Sequence, residues 1–155
     1  MTARRTGPDA VTVEQIRARD GWACARCGVV GDGGYLVQLS TQHRQARGMG
    51  GTTRPAINAP SNLLTLCGSG TTGCHGWVEA HPTDARARGL AVASWDVPAL
   101  TPVQTWRGWV LLDDDGDFEV LPDFTPWSCP RCGTDHKTIP DQCCGLVPEI
   151  TGAPQ

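Results

Sequence analysis

Cys24 and Cys27 stand two residues apart in "CARC", the spacing at which two thiolates bind one tetrahedral zinc ion. Cys67 and Cys74 are the natural second pair, although six residues separate them. Gly68, Gly70 and Gly73 in that gap let the backbone fold back tightly. A zinc on Cys24, Cys27, Cys67 and Cys74 would clamp the N-terminal elements to a later helix and replace core that a short chain cannot build. The competing reading is four free buried thiols. A second knuckle, "CPRC", places Cys129 and Cys132 near His136, Cys143 and Cys144. Its remaining ligands are either His136 with Cys143 or the two adjacent cysteines. A shell of Cys129, Cys132, His136 and Cys143 is expected, because adjacent cysteines bind one ion only under strain. The competing reading is an acidic tail without metal.

Between the first two cysteine pairs lies "STQHRQARGMGGT", Ser40 to Thr52. It carries a lone His43 among Arg44, Arg47 and three glycines, with almost nothing apolar. A core histidine would have apolar neighbours, so this one is expected to face a charged substrate. A neutral imidazole near pH 7 can take a proton from water. The arginines can grip phosphate with paired hydrogen bonds.

These residues need elements to position them. Thr12 with Gln15 three residues later is a capping-box pattern, and it predicts a short helix ended by Gly21. Tyr35–Ser40 is rich in strand formers and leads into His43. Residues 44–60 read as a loop, "SNLLTLC" as a short apolar run and "CHGWVEA" as a helix start, with a break at Pro82. Adjacent helical residues point about 100° apart, so Cys74 can face a zinc while His75 faces elsewhere. Glu79 shares the face of His75, as a further metal ligand or a solvated charge. Trp77 is expected in the core and His81 at the surface. "WVLL-DDDGD-FEV" reads as a β-hairpin with an acidic turn.

The chain of 155 residues suits one domain with a small appendage. Its net charge of −3 is unevenly spread. Residues 1–90 hold ten arginines against six acids, net +4, and residues 91–155 hold three basic residues against ten acids, net −7. The basic part is the part with His43. "MTARRTGPDAVTVEQ" has no apolar stretch of a signal peptide, and the run near "GWVLL" is too short to cross a bilayer. A cytoplasmic location, with reduced thiols holding metal and no membrane partner, is therefore expected.

In their order, "RDGWACARCG", "QHRQARGMGG", "SNLLTLC" and "CHGWVEAH" resemble the HNH endonuclease family, most closely small HNH proteins of actinobacterial phages. The resemblance runs from about Arg19 to Gly89. It implies a small α+β fold: a ββα-metal HNH core clamped by a structural zinc, followed by a β-hairpin and a short zinc-ribbon-like tail. The expected divisions are a disordered 1–11, a nuclease domain at 12–90, a hairpin extension at 91–125 and a zinc-knuckle-like tail at 126–155. By the resemblance His43 is the general base, Asn62 orients its loop, and His75 binds a divalent catalytic metal (Mg, Mn, Ni or Zn). Gln42 and Glu79 are further candidate ligands, and Arg44 and Arg47 would contact DNA phosphates. The family has Asp or His where this chain has Gln42, a neutral and weaker ligand. The implied function is metal-dependent hydrolysis of DNA, with phage DNA packaging as its candidate setting; the acidic C-terminal region reads either as a solvated hairpin or as a dock for a partner such as a terminase. The alternative is a zinc-stabilised nucleic-acid-binding or assembly protein with weak or no catalysis. A secreted disulfide protein is a third, distant reading.

Overall fold

A computed structural model describes residues 7–48 and 54–124, together with the backbone of 127–128 and 135–136. Helix α1 spans Ala10–Arg19. It starts two residues before Thr12, because Asp9 is the cap and its Oδ1 accepts the Thr12 amide at 2.7 Å. Gln15 does not close a capping box. Its Nε2 instead reaches the Asp115 carbonyl, 100 residues away.

Strand β1 is Leu39–His43 and pairs antiparallel with β2, Leu63–Cys67. The strand begins later than Tyr35. Asp32 accepts the amides of Gly34, Leu36 and Val37, and this local turn competes with strand pairing. Tyr35 and Leu36 are left exposed. Residues 44–60 are not loop throughout, since Pro55–Asn58 and Pro60–Asn62 form two 3₁₀ turns. Helix α2 spans Gly73–Ala80, and Pro82 opens α3, Pro82–Ala87. β1, β2 and α2 follow in that order along the chain, with the two 3₁₀ turns between β1 and β2.

The acidic turn joins β4, Gly108–Leu112, to β5, Phe118–Val120. A third strand, β3 (Val103–Thr105), pairs with β4 and extends the expected hairpin to a three-stranded sheet. That sheet is not an appendage. Val103, Val110 and Leu112 share one core with Leu64 and Leu66 of β2, Val78 of α2 and Ala85 of α3. Trp77 packs on the edge of this core, half-buried. Burying the valine and leucine side chains of this core stabilises the fold by roughly 1.5–3 kcal/mol each.

Two buried arginines lace the layers together. Arg19 pairs with Asp20 at 2.8 Å and donates to the carbonyls of Pro60 and Leu63. Asp20 in turn accepts the Thr65 amide of β2 at 2.8 Å. Arg44 follows β1 directly and donates to the carbonyls of Gly89, Ser61, Pro98 and Thr101. Among the described residues, no helix is long and apolar enough to cross a membrane.

Candidate functional site

The four cysteines of the first set converge. Their Sγ atoms all lie within 4.8 Å of one another. Cys27 and Cys67 sulfurs are 3.9 Å apart, against roughly 3.8 Å for two sulfurs on a tetrahedral ion with bonds of about 2.3 Å. A disulfide would need about 2.05 Å, and all four thiols are free. The knuckle turns at Gly28, whose amide bonds the Cys24 carbonyl at 2.8 Å. The Ala25 amide ties the knuckle to Thr65 of β2 at 2.8 Å. Cys67 ends β2 and Cys74 lies in the first turn of α2. Gly68 and Gly73 both have positive φ, and a Cβ on Gly68 would strike the Thr72 carbonyl, so the gap closes as the glycines require.

Burial pushes the Cys24 and Cys74 thiols up, against hydrogen bonds that favour the thiolates. At Cys27 burial acts the same way, but the Val29 amide and the neighbouring thiols outweigh it and lower the thiol. A dication among them would remove the penalty for the charged form and convert all four to thiolates. The cluster therefore fits a zinc ion. Cys129, Cys132 and Cys143 lie outside the described residues, as does the side chain of His136, so the second shell has no geometry here.

Gln42, His43, Arg47, His75, Glu79 and Arg86 line one open cleft of about 600 Å³. His75 Nδ1 lies 2.7 Å from Ser40 Oγ. With Ser40 Oγ also 3.4 Å from the Leu66 carbonyl, the tautomer in which Nδ1–H donates to Ser40 is the one that leaves the Nε2 lone pair free for a metal. Nε2 is 4.0 Å from Glu79 Oε1. Gln42 Nε2 donates to the same Glu79 oxygen at 3.3 Å. Glu79 is thus engaged at the cleft and not an isolated surface charge. Burial holds the His75 imidazole below its usual pKa, and the Glu79 carboxylate opposes it.

His43 ends β1, and its Nε2 lies 2.9 Å from Asn58 Oδ1. An amide oxygen only accepts, so Nε2 carries the proton and Nδ1 is left as the basic nitrogen. Burial lowers the His43 pKa first, the Asn58 bond opposes this, and the Arg47 cation lowers it further. His43 is half-buried, not fully exposed. Asn62 is fully buried and braces the following loop. Its Oδ1 accepts the Gln45 amide at 2.7 Å, and its Nδ2 donates to the carbonyls of Ile57 and Gln45.

Arg44 corrects one expectation. It is 2% exposed and bonded to four carbonyls, so its guanidinium is structural and cannot reach a phosphate. Burial depresses even this cation, to about 9. Arg47 is exposed and lines the cleft. Ser40, Asn58 and Arg86 were not anticipated. Ser40 had a signal in strand alternation, which puts it on the face of Gln42, whereas Asn58 had none. No protein-family model, curated protein or solved structure matches the chain.

Proposed function

We propose that the protein is a metal-dependent DNA endonuclease of HNH type, with His43 as general base. The observation that carries this reading is the convergence of His43, His75 and Glu79 on one open cleft, built from consecutive β1, β2 and α2 elements. Nδ1 of His43, left unprotonated by the Asn58 bond, takes the proton from an attacking water. Asn62 keeps the loop after His43 in register, and Arg47 neutralises the flanking phosphate.

His75 Nε2 and Glu79 Oε1, 4.0 Å apart, are the residues that would hold a divalent ion. Such an ion supplies Lewis-acid polarisation of the phosphate and charge stabilisation on the leaving oxygen. Two protein donors suit a hard cation that keeps waters and takes phosphate oxygens as further ligands. Gln42 contributes an amide oxygen only if its side chain turns, because its NH₂ now faces Glu79. The zinc cluster is the rigid base that fixes β2 and α2 relative to each other.

Gln42 also favours the second reading, a zinc-stabilised nucleic-acid-binding or assembly protein without catalysis. A neutral amide where a charged ligand would serve leaves the ion with one imidazole, His75, and one carboxylate, Glu79. Conversion of supercoiled plasmid to the nicked form, with and without added Mg, Mn, Ni or Zn, separates the two. Metal-dependent nicking supports the nuclease, and binding without nicking under every metal supports the alternative.

A further inference from the structure

A second basic site lies on the opposite side of α2 from the cleft. His75 and Glu79 are four residues apart and share one helix face, whereas Trp77 projects some 200° from His75 at about 100° per residue. The Arg26 guanidinium lies 3.9 Å from the centre of the Trp77 ring, and its Nη1 donates to Cys74 Sγ at 3.3 Å. Trp77 also stacks on His81, with centroids 4.9 Å apart and planes 17° from parallel. Arg88, just past the end of α3, donates to Gln104 Oε1 at 2.6 Å. Arg26, Arg88, Gln104 and Thr105 line a pocket of about 360 Å³ open to solvent, and none of the four is acidic.

Both guanidinium groups are therefore held in place before any ligand arrives, one on an aromatic face and one by an amide oxygen. Each carries five N–H donors, more than these contacts occupy. Two fixed guanidiniums lining one pocket, with no acidic residue among its described lining, match the charge of a phosphate.

We propose that the Arg26–Arg88 pocket is a second phosphate-binding site, which holds the backbone of the nucleic acid engaged at the His43 cleft. The proposal rests on the nucleic-acid reading above. The two sites lie on different faces of α2, so each would take its own phosphate of the bound nucleic acid. The net positive charge of residues 1–90, in which Arg26 and Arg88 lie, is of the complementary sign.

Arg88→Gln tests the pocket, because Arg88 touches neither the zinc thiols nor the cleft. Gln104→Glu is the second variant, since it places a competing carboxylate beside Arg88. Each is made in the His43→Ala background, checked for zinc content and melting, and titrated against a fluorescent DNA duplex over a range of KCl concentrations. The plot of log affinity against log salt is expected to become shallower by about 0.9 for the lost phosphate contact, in both variants. An unchanged slope in both overturns the pocket. Nicking is measured in parallel with His43 intact. An unchanged slope with retained metal-dependent nicking sinks the pocket and leaves the nuclease standing. A shallower slope with no nicking by wild-type protein sinks the nuclease and leaves the pocket. Equilibrium dialysis with inorganic phosphate separates the other source of the same chemistry: Arg88-dependent phosphate retention with an unchanged DNA slope assigns the pocket to free phosphate and overturns the nucleic-acid form.

Discussion

Ser40 Oγ and His75 Nδ1 lie 2.7 Å apart across the β1–α2 contact, and this bond aims the other imidazole nitrogen at the cleft. A metal-binding histidine is oriented by what its second nitrogen bonds. Ser40→Ala removes that partner while leaving the zinc cysteines and Glu79 in place. Loss of such a partner typically costs about 10–100-fold in metal affinity. The metal concentration for half-maximal nicking should rise by that factor with little change in melting temperature. An unchanged metal dependence would show that His75 does not ligate the catalytic ion.

Arg44 gives a prediction of the opposite kind, in which stability changes and charge contacts do not. Arg44→Met leaves the buried carbonyls of Gly89, Ser61 and Thr101 without the donor that Arg44 supplies, while the Pro98 carbonyl keeps the Thr101 amide. Each unsatisfied buried group costs about 1–3 kcal/mol. Urea denaturation should register a loss of roughly 3 kcal/mol or more. A variant as stable as wild type but weaker on DNA would restore Arg44 as a phosphate contact.

Cys24→Ser breaks the first thiol cluster at its fully buried member. Because a structural zinc contributes its binding free energy to folding, the variant should lose zinc and its cooperative melt. Chelation of the wild-type protein should do the same. A wild-type melt with unchanged zinc content would remove Cys24 from the ligand set.

The His43 imidazole, lowered by burial and by Arg47, should titrate below its usual 6.5 in an NMR pH titration of protein free of added divalent ions. Because the folded pKa is below the unfolded one, the unfolded chain takes up protons first as pH falls. The contribution of this group to stability is therefore present above about pH 6.5 and is lost as pH falls through the folded value. Cleavage, which needs the neutral base, should likewise already be on its plateau at pH 7. A midpoint above 6.5 would contradict the burial and charge placed around it.

Much of this was legible in sequence because it is local or chemically obligatory. The Cys-x2-Cys spacing and the glycines at 68 and 73 led to the four-thiol cluster, and Pro82 marked the boundary of α2 and α3. The three-stranded sheet was only half legible, because β3 has three residues and is set by its pairing to β4. Arg44 misled for a physical reason. A cation beside a polar histidine reads as exposed, and only the folded chain shows four carbonyls from distant segments closing on it. Asn58 was equally hidden, since the bond that sets the tautomer of His43 crosses 15 residues of chain without any local pattern.

The most direct test is the single-turnover nicking rate of supercoiled DNA by wild type and by His43→Ala, measured with saturating DNA and each of Mg, Mn, Ni and Zn. Wild type should nick with at least one metal. His43→Ala should be slower by about 10²–10⁴, while keeping the zinc content, melting temperature and DNA affinity of wild type. An unimpaired rate in His43→Ala, or no metal-dependent nicking by the wild-type protein, would contradict His43 as the general base of a nuclease.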